Sequence, residues 1–267
     1  LNGVLRSLMI DDNTVIQANY YNTNYYKPEY VNENFDCFVI PLADAFRENF
    51  VNELNELTSF VKKLKIPCYV IGVGLKESYE PDFSQPKPQD EAVKKFVTAV
   101  LEKSNCIGVR GELTGKYLET LGFAEGRDFM VIGCPSMYMK GKRLHIQNPK
   151  LDVNSKVCFN SNVAASVPTR KFIKLKMKEF ENHYFIGQVV NELRSIYLGA
   201  PYEYKIEYNF RNVTDKIYQD GRLRFFCNVP KWMEFLNDSD LTFGSRLHGN
   251  IAAVLAGTPA LLVTKDS

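Results

Sequence analysis

The sequence predicts an α/β protein made of two Rossmann-like lobes. Two observations carry this: short apolar runs alternate with amphipathic stretches from residue 37 to residue 132, and the alternation resumes after a polar interruption at residues 140–150. A third is the make-up of the runs, which are apolar throughout, as strands buried on both faces are; parallel neighbours then need a crossover connection. The interruption, Lys140-Gly141-Lys142-Arg143 through Asn148-Pro149-Lys150, divides the chain into a lobe over 1–150 and a lobe over 151–267.

In the first lobe the predicted strands are Cys37-Phe38-Val39-Ile40, Cys68-Tyr69-Val70-Ile71-Gly72, Cys106-Ile107-Gly108-Val109 and Phe129-Met130-Val131-Ile132. Between them, Phe50, Val51, Leu54, Leu57, Phe60, Val61 and Leu64 recur at helical spacing. So do Val93, Phe96, Val97, Val100 and Leu101, and then Leu113, Tyr117, Leu118 and Leu121, where Gly122 ends the helix. The Tyr- and Asn-rich stretch 19–34, with Tyr20-Tyr21 and Tyr25-Tyr26, reads as a polar loop that could line an acceptor site.

In the second lobe, strands are expected at 156–159, 184–186, 224–227, 241–243 and 259–263. Helices are expected at 171–181, 189–198, 232–236 and 247–256. Clefts in such folds open at the carboxyl ends of the strands and between lobes.

Composition narrows the function classes. The chain has 267 residues, and 33 Lys and Arg against 31 Asp and Glu give a net charge of +2. That argues against nucleic-acid binding through bulk charge. No run reaches the roughly 18 apolar residues of a membrane span. The opening Leu1-Asn2-Gly3-Val4 has neither Met nor a signal-peptide pattern, and the chain stops at Asp266-Ser267 after an apolar run; both ends read as cuts in a longer gene product. The six cysteines, Cys37, Cys68, Cys106, Cys134, Cys158 and Cys227, form no CxxC pair. Four of them, Cys37, Cys68, Cys106 and Cys134, sit inside or beside apolar runs; buried reduced thiols in strands of a cytoplasmic protein are the reading, with disulfides or zinc as the alternative. No metal-ligand cluster stands out, since His145 and His183 lack ligand spacing and read as surface or strand-end residues.

The strongest local signal is Asp240-Leu241-Thr242-Phe243-Gly244-Ser245-Arg246-Leu247-His248-Gly249-Asn250. A strand ends at Phe243, Gly244 permits a tight turn, and Ser245 is placed to cap the following helix. The free N–H groups and positive dipole end of that helix, together with the Arg246 guanidinium and the His248 imidazole, make an anion pocket. The plain alternative is that Arg246 pairs with a carboxylate and His248 packs without a role. Arg110, after the third strand, could bind an anion or pair with Glu112 or Asp128. Gly72-Val73-Gly74 reads as a strand-end turn, because the other glycines of a dinucleotide fingerprint are missing. Trp232 reads as core, with sugar stacking as the alternative.

The run from Phe243 to Ala253, followed by Gly257-Thr258-Pro259-Ala260, closely resembles the signature of the polysaccharide pyruvyl transferase family. Val70-Ile71-Gly72-Val73-Gly74, Ile107-Gly108-Val109-Arg110-Gly111-Glu112-Leu113-Thr114 and Ile132-Gly133-Cys134-Pro135-Ser136 resemble further, less specific segments of the same family. The resemblance implies a two-lobed, glycosyltransferase-B-like fold and transfer of the enolpyruvyl carbons of phosphoenolpyruvate onto a sugar as a pyruvate ketal. It implies donor binding by Arg110, Arg246, Leu247 (through its backbone) and His248, with His248 as the acid–base catalyst and no cofactor or metal. The acceptor would be a saccharide or a lipid-linked saccharide. Lys140 to Arg143, a short basic cluster, reads as a solvated interlobe loop; the alternative is a face for an anionic lipid-linked acceptor, which would bring the protein to the inner face of the membrane. Two departures stand out: the family's glycine-rich opening turn is not matched by Leu1-Asn2-Gly3-Val4, and Gly111 occupies the place of the acidic residue, with Glu112 one position later. Two other classes stay open. One is a nucleotide-sugar glycosyltransferase, for which Glu234 and Asp238 are candidate ribose ligands. The other is a non-catalytic glycan- or anion-binding protein.

Overall fold

Nine strands in two parallel sheets organise the described part of the chain. The computed structural model describes residues 11–19, 26–78, 80–162, 164–199 and 213–264. The expectations placed on Leu1 to Val4, Tyr20, Tyr21, Tyr25, Asp266 and Ser267 lie outside these. The contacts divide the chain into two units, with the division between Met139 and Lys140.

The first unit contains α1 (Pro28–Asn34), β1 (Phe38–Pro41), α2 (Val51–Lys62), β2 (Cys68–Val73), α3 (Asp90–Leu101), β3 (Ile107–Val109), α4 (Glu112–Thr120) and β4 (Phe129–Val131). Its sheet runs β1-β2-β3-β4, every pairing parallel. The apolar residues that predicted the helices form its core: Leu54, Phe60 and Val61 of α2 and Val93, Phe96, Val97 and Val100 of α3 pack on Val70, Ile107 and Phe129 of the strands. The stretch read as a polar loop is corrected over α1. Pro28 in the first turn favours helix initiation there, and Val31 alone of its residues is buried, which is too little for periodicity to register.

The second unit contains β5 (Val157–Asn160), α5 (Val167–Met177), β6 (His183–Gly187), α6 (Val190–Leu198), α7 (Lys216–Gln219), β7 (Leu223–Phe225), α8 (Val229–Asn237), β8 (Leu241–Gly244), α9 (Leu247–Ala256) and β9 (Ala260–Leu262). Its sheet has the order β7-β6-β5-β8-β9, again all parallel. Alternate residues of one strand serve opposite faces. Val157 and Phe159 pack with Ile173 and Met177 of α5, whereas Cys158 packs with Leu236 of α8 and Ala252 and Ala253 of α9. Helices thus cover both faces of a sheet whose order reverses between β5 and β8.

Two helices begin earlier than the apolar pattern predicts. The Ser166 side chain accepts the Thr169 N–H ahead of α5, and Asn228 accepts the Lys231 N–H ahead of α8; each helix has proline in its first turn. All six cysteines are free, with Cys68 and Cys158 buried. Cys37 is exposed although it sits in an apolar run, which corrects the buried reading there, and Cys227 is exposed as well. Among the described residues no helix is long and apolar enough to cross a membrane.

Candidate functional site

The strand order reverses between β5 and β8, and open parallel sheets receive ligands at the carboxyl ends of such a switch point. There Asn160, the last residue of β5, is in register with Gly244, the last residue of β8. A Cβ on Gly244 would stand 1.9 Å from the Asn160 carbonyl oxygen, so the glycine is there for close approach.

Arg246 follows as the N-cap of α9, so the first helical residues are Leu247 and His248. Its backbone N–H donates to Asn160 Oδ1 at 2.8 Å, which fixes the turn across the two strands. The expected capping role of Ser245 is corrected: Ser245 is buried and its hydroxyl accepts the Asn162 N–H at 2.9 Å. No capping bond is made by the Arg246 side chain either. Asn250, buried one turn into α9, donates from Nδ2 to the carbonyls of Gly244 and Arg246 and holds the corner from inside.

The Arg246 side chain runs back across the sheet. Its Nε donates to the Ser161 carbonyl at 2.6 Å, and Nη2 lies 2.9 Å from Glu192 Oε1. Glu192, in the first turn of α6, is fully buried, and its Oε2 accepts the N–H groups of Gln188 and Val189. Burial pushes the Glu192 carboxyl up from its usual range, while Arg246 and the two amides pull it back. The carboxyl ends of β6, β5 and β8 therefore converge on one guanidinium. Leu247 and His248 are exposed on the open first turn of α9. Gly249 lies against the neighbouring edge: a Cβ there would come within 2.5 Å of Gln188 Nε2, a buried atom with no hydrogen-bond partner among the described residues.

Arg110 belongs to the first unit, just beyond β3. Its Nε donates to the Gly72 carbonyl at 2.9 Å and Nη2 to the Leu42 carbonyl at 3.4 Å. Neither carboxylate considered from sequence holds it: Asp128 is paired with Arg127, and among the described residues no ion pair joins Arg110 to Glu112. Gly72 and Gly74 sit beneath this arginine, since a Cβ on either would lie within 3.4–3.6 Å of its side chain. Gly72 also has φ +74°. The glycine pair thus seats Arg110 at the carboxyl edge of the first sheet.

Other candidates fall into structural places. Glu234 and Asp238 are engaged by Lys231 and Lys156. His183 opens β6 with Nδ1 2.7 Å from the Phe180 carbonyl, and His145 is exposed. Trp232 packs against the cluster of Cys158, Leu236 and Ala253. Among the described residues no group of three or more His, Cys, Asp or Glu side chains could hold a metal ion.

The sequence reading missed Asn160, Glu192 and Gln188, and it included Asn250 in the motif without giving it a role. Asn250 and Asn160 carried a usable signal, being polar residues placed in or ending apolar runs. Glu192 carried none, because a glutamate in an amphipathic stretch reads as solvent-facing charge.

Arg246 thus pairs with a carboxylate, as the plain alternative had it, while His248 stays exposed beside it. A doubly wound sheet with this arginine and an uncapped helix start at its switch point defines an α/β protein. The chain belongs to the polysaccharide pyruvyl transferase family, whose model matches residues 4–267, nearly the entire sequence. Its class of activity is therefore pyruvyl transfer in polysaccharide. A comparison with curated proteins finds no match.

Proposed function

We propose that the protein transfers the enolpyruvyl group of phosphoenolpyruvate onto two hydroxyls of a saccharide or lipid-linked saccharide, forming a pyruvate ketal and releasing phosphate. One observation carries the reading: in a chain of this family, the uncapped start of α9 at the sheet reversal bears Arg246, Leu247 and His248 together.

The donor has a carboxylate and a phosphate, and each suits a guanidinium and a helix N-terminus. Arg246 and the Leu247 amide would hold donor oxygens, and Arg110 is the further donor-binding candidate that the family resemblance implies. Ketal formation protonates the donor at C3 and leaves C2 as an oxocarbenium-like centre. The two sugar hydroxyls add there as phosphate departs. His248, exposed at the helix start, is the group suited to move the proton. The arginines would stabilise the leaving phosphate. The reading carries with it the family's glycosyltransferase-B-like architecture and a cytoplasmic location, with membrane contact arising through a lipid-linked acceptor.

The test is incubation with phosphoenolpyruvate and a panel of galactose-, glucose- and mannosamine-containing acceptors, following phosphate release and the ketal methyl signal by NMR. Ketal formation with stoichiometric phosphate is the expected result. Glycosyl transfer from nucleotide sugars with no turnover of phosphoenolpyruvate would replace this reading by the glycosyltransferase one. Anion binding without either reaction would leave a binding protein.

A further inference from the structure

We propose that Glu192 is a positioning residue for donor binding, acting by holding the Arg246 guanidinium in one orientation. The inference rests on the donor reading above and extends it to a residue outside the signature that suggested it.

Three observations carry it. First, the contacts are divided: Oε2 of Glu192 accepts two backbone N–H groups at the start of α6, and Oε1 accepts Arg246 Nη2 at 2.9 Å. The carboxylate is therefore fixed by backbone before it meets the arginine. Second, the guanidinium is gripped at two points, since Nε donates to the Ser161 carbonyl at 2.6 Å. Two bonds from different nitrogens set the plane of the group, where one would leave it to swing. Third, exposure is unequal: the Glu192 side chain has none, whereas Arg246 keeps 11%. What an incoming anion can touch of this pair is the arginine, so Glu192 acts through it.

A buried carboxylate is costly to desolvate, and an apolar residue would fill the space more cheaply if packing were the purpose. A charge pair spanning β6 and β8 instead places a pre-oriented cation beside the open start of α9. The arrangement also sets a limit, because the carboxylate partly neutralises the arginine. Orientation and competition predict opposite effects when the charge is removed.

Glu192→Gln and Glu192→Asp in the full chain separate them. Gln keeps the volume but opposes an N–H₂ to one of its donors; Asp keeps the charge but falls short of the arginine. Steady-state kinetics with phosphoenolpyruvate and an accepted saccharide, alongside thermal unfolding, should give a KM for phosphoenolpyruvate raised about tenfold or more with the acceptor KM unchanged. Combining either substitution with Arg246→Lys should add little further, because both act on one group. An unchanged or lowered phosphoenolpyruvate KM, or parallel rises in both KM values, overturns the inference, as does failure of both variants to fold. The donor reading fails separately: the unaltered protein would neither bind nor turn over phosphoenolpyruvate. If Arg246→Lys raises the donor KM and neither Glu192 variant does, that reading stands and the role of Glu192 falls.

Discussion

Gly244 and Asn160 meet so closely that a single methyl group between them would stand 1.9 Å from the Asn160 carbonyl oxygen. This contact joins the last residues of β5 and β8, and the turn carrying Arg246 starts from it. Gly244→Ala must push the two strands apart or unseat Asn160, whose side chain holds the Arg246 N–H. We expect a loss of about 1–3 kcal/mol in stability, typical of overpacking, and a larger proportional loss of activity. Urea unfolding and initial rates measured on the same preparation check both.

His248→Ala should abolish transfer and leave the unfolding temperature within a degree or two. The side chain is exposed on the first turn of α9, so removing it creates no cavity. Turnover within about twofold of the parent would remove His248 from the acid–base role.

Arg246→Lys keeps the charge and loses the fork. An ammonium cannot donate in fixed directions to the Ser161 carbonyl and Glu192 at once, so the cation is no longer oriented. The KM for phosphoenolpyruvate should rise about tenfold or more, a cost of about 1.4 kcal/mol or above. Equal KM values in a side-by-side titration would contradict it.

The two buried thiols make a prediction about alkaline stability. Burial pushes Cys68 up to about 12 and Cys158 up to about 11, from 9.0 for an ordinary thiol. The folded chain then holds these protons more tightly than the unfolded chain does. Their contribution is fully present below about pH 9 and is lost as pH rises through about 11 to 12. Urea midpoints should fall over that window, and Cys158→Ala should flatten part of the decline. Alkylation near neutral pH should label the exposed Cys37 and Cys227 and spare Cys68 and Cys158 until the chain unfolds.

Most strands were legible because parallel strands buried on both faces leave continuous apolar runs, as at Cys68 to Val73 and Leu241 to Gly244. Helix starts were less so: Ser166 and Asn228 act through single polar side chains that an apolar pattern passes over. The α9 corner was visible as a motif, yet its supports were not. Ser245 looked like a cap because it directly precedes Arg246, but the neighbouring β5 segment competes for its hydroxyl through the Asn162 N–H. Glu192 was hidden for a different reason. Its contact with Arg246 depends on β6, β5 and β8 lying side by side, and strand order is not written in local periodicity.

The groups that clasp Arg246 come from Asn160, Ser161 and Glu192, encoded 54 to 86 positions before it. A ribosome must therefore finish β8 before any of them has its arginine to hold. A chain released early carries the scaffold without the grip. On the proposed function, the appearance of donor binding during synthesis or refolding would mark the moment at which the middle of the second sheet closes, and a ligand present at that moment would act as a clamp against its reopening.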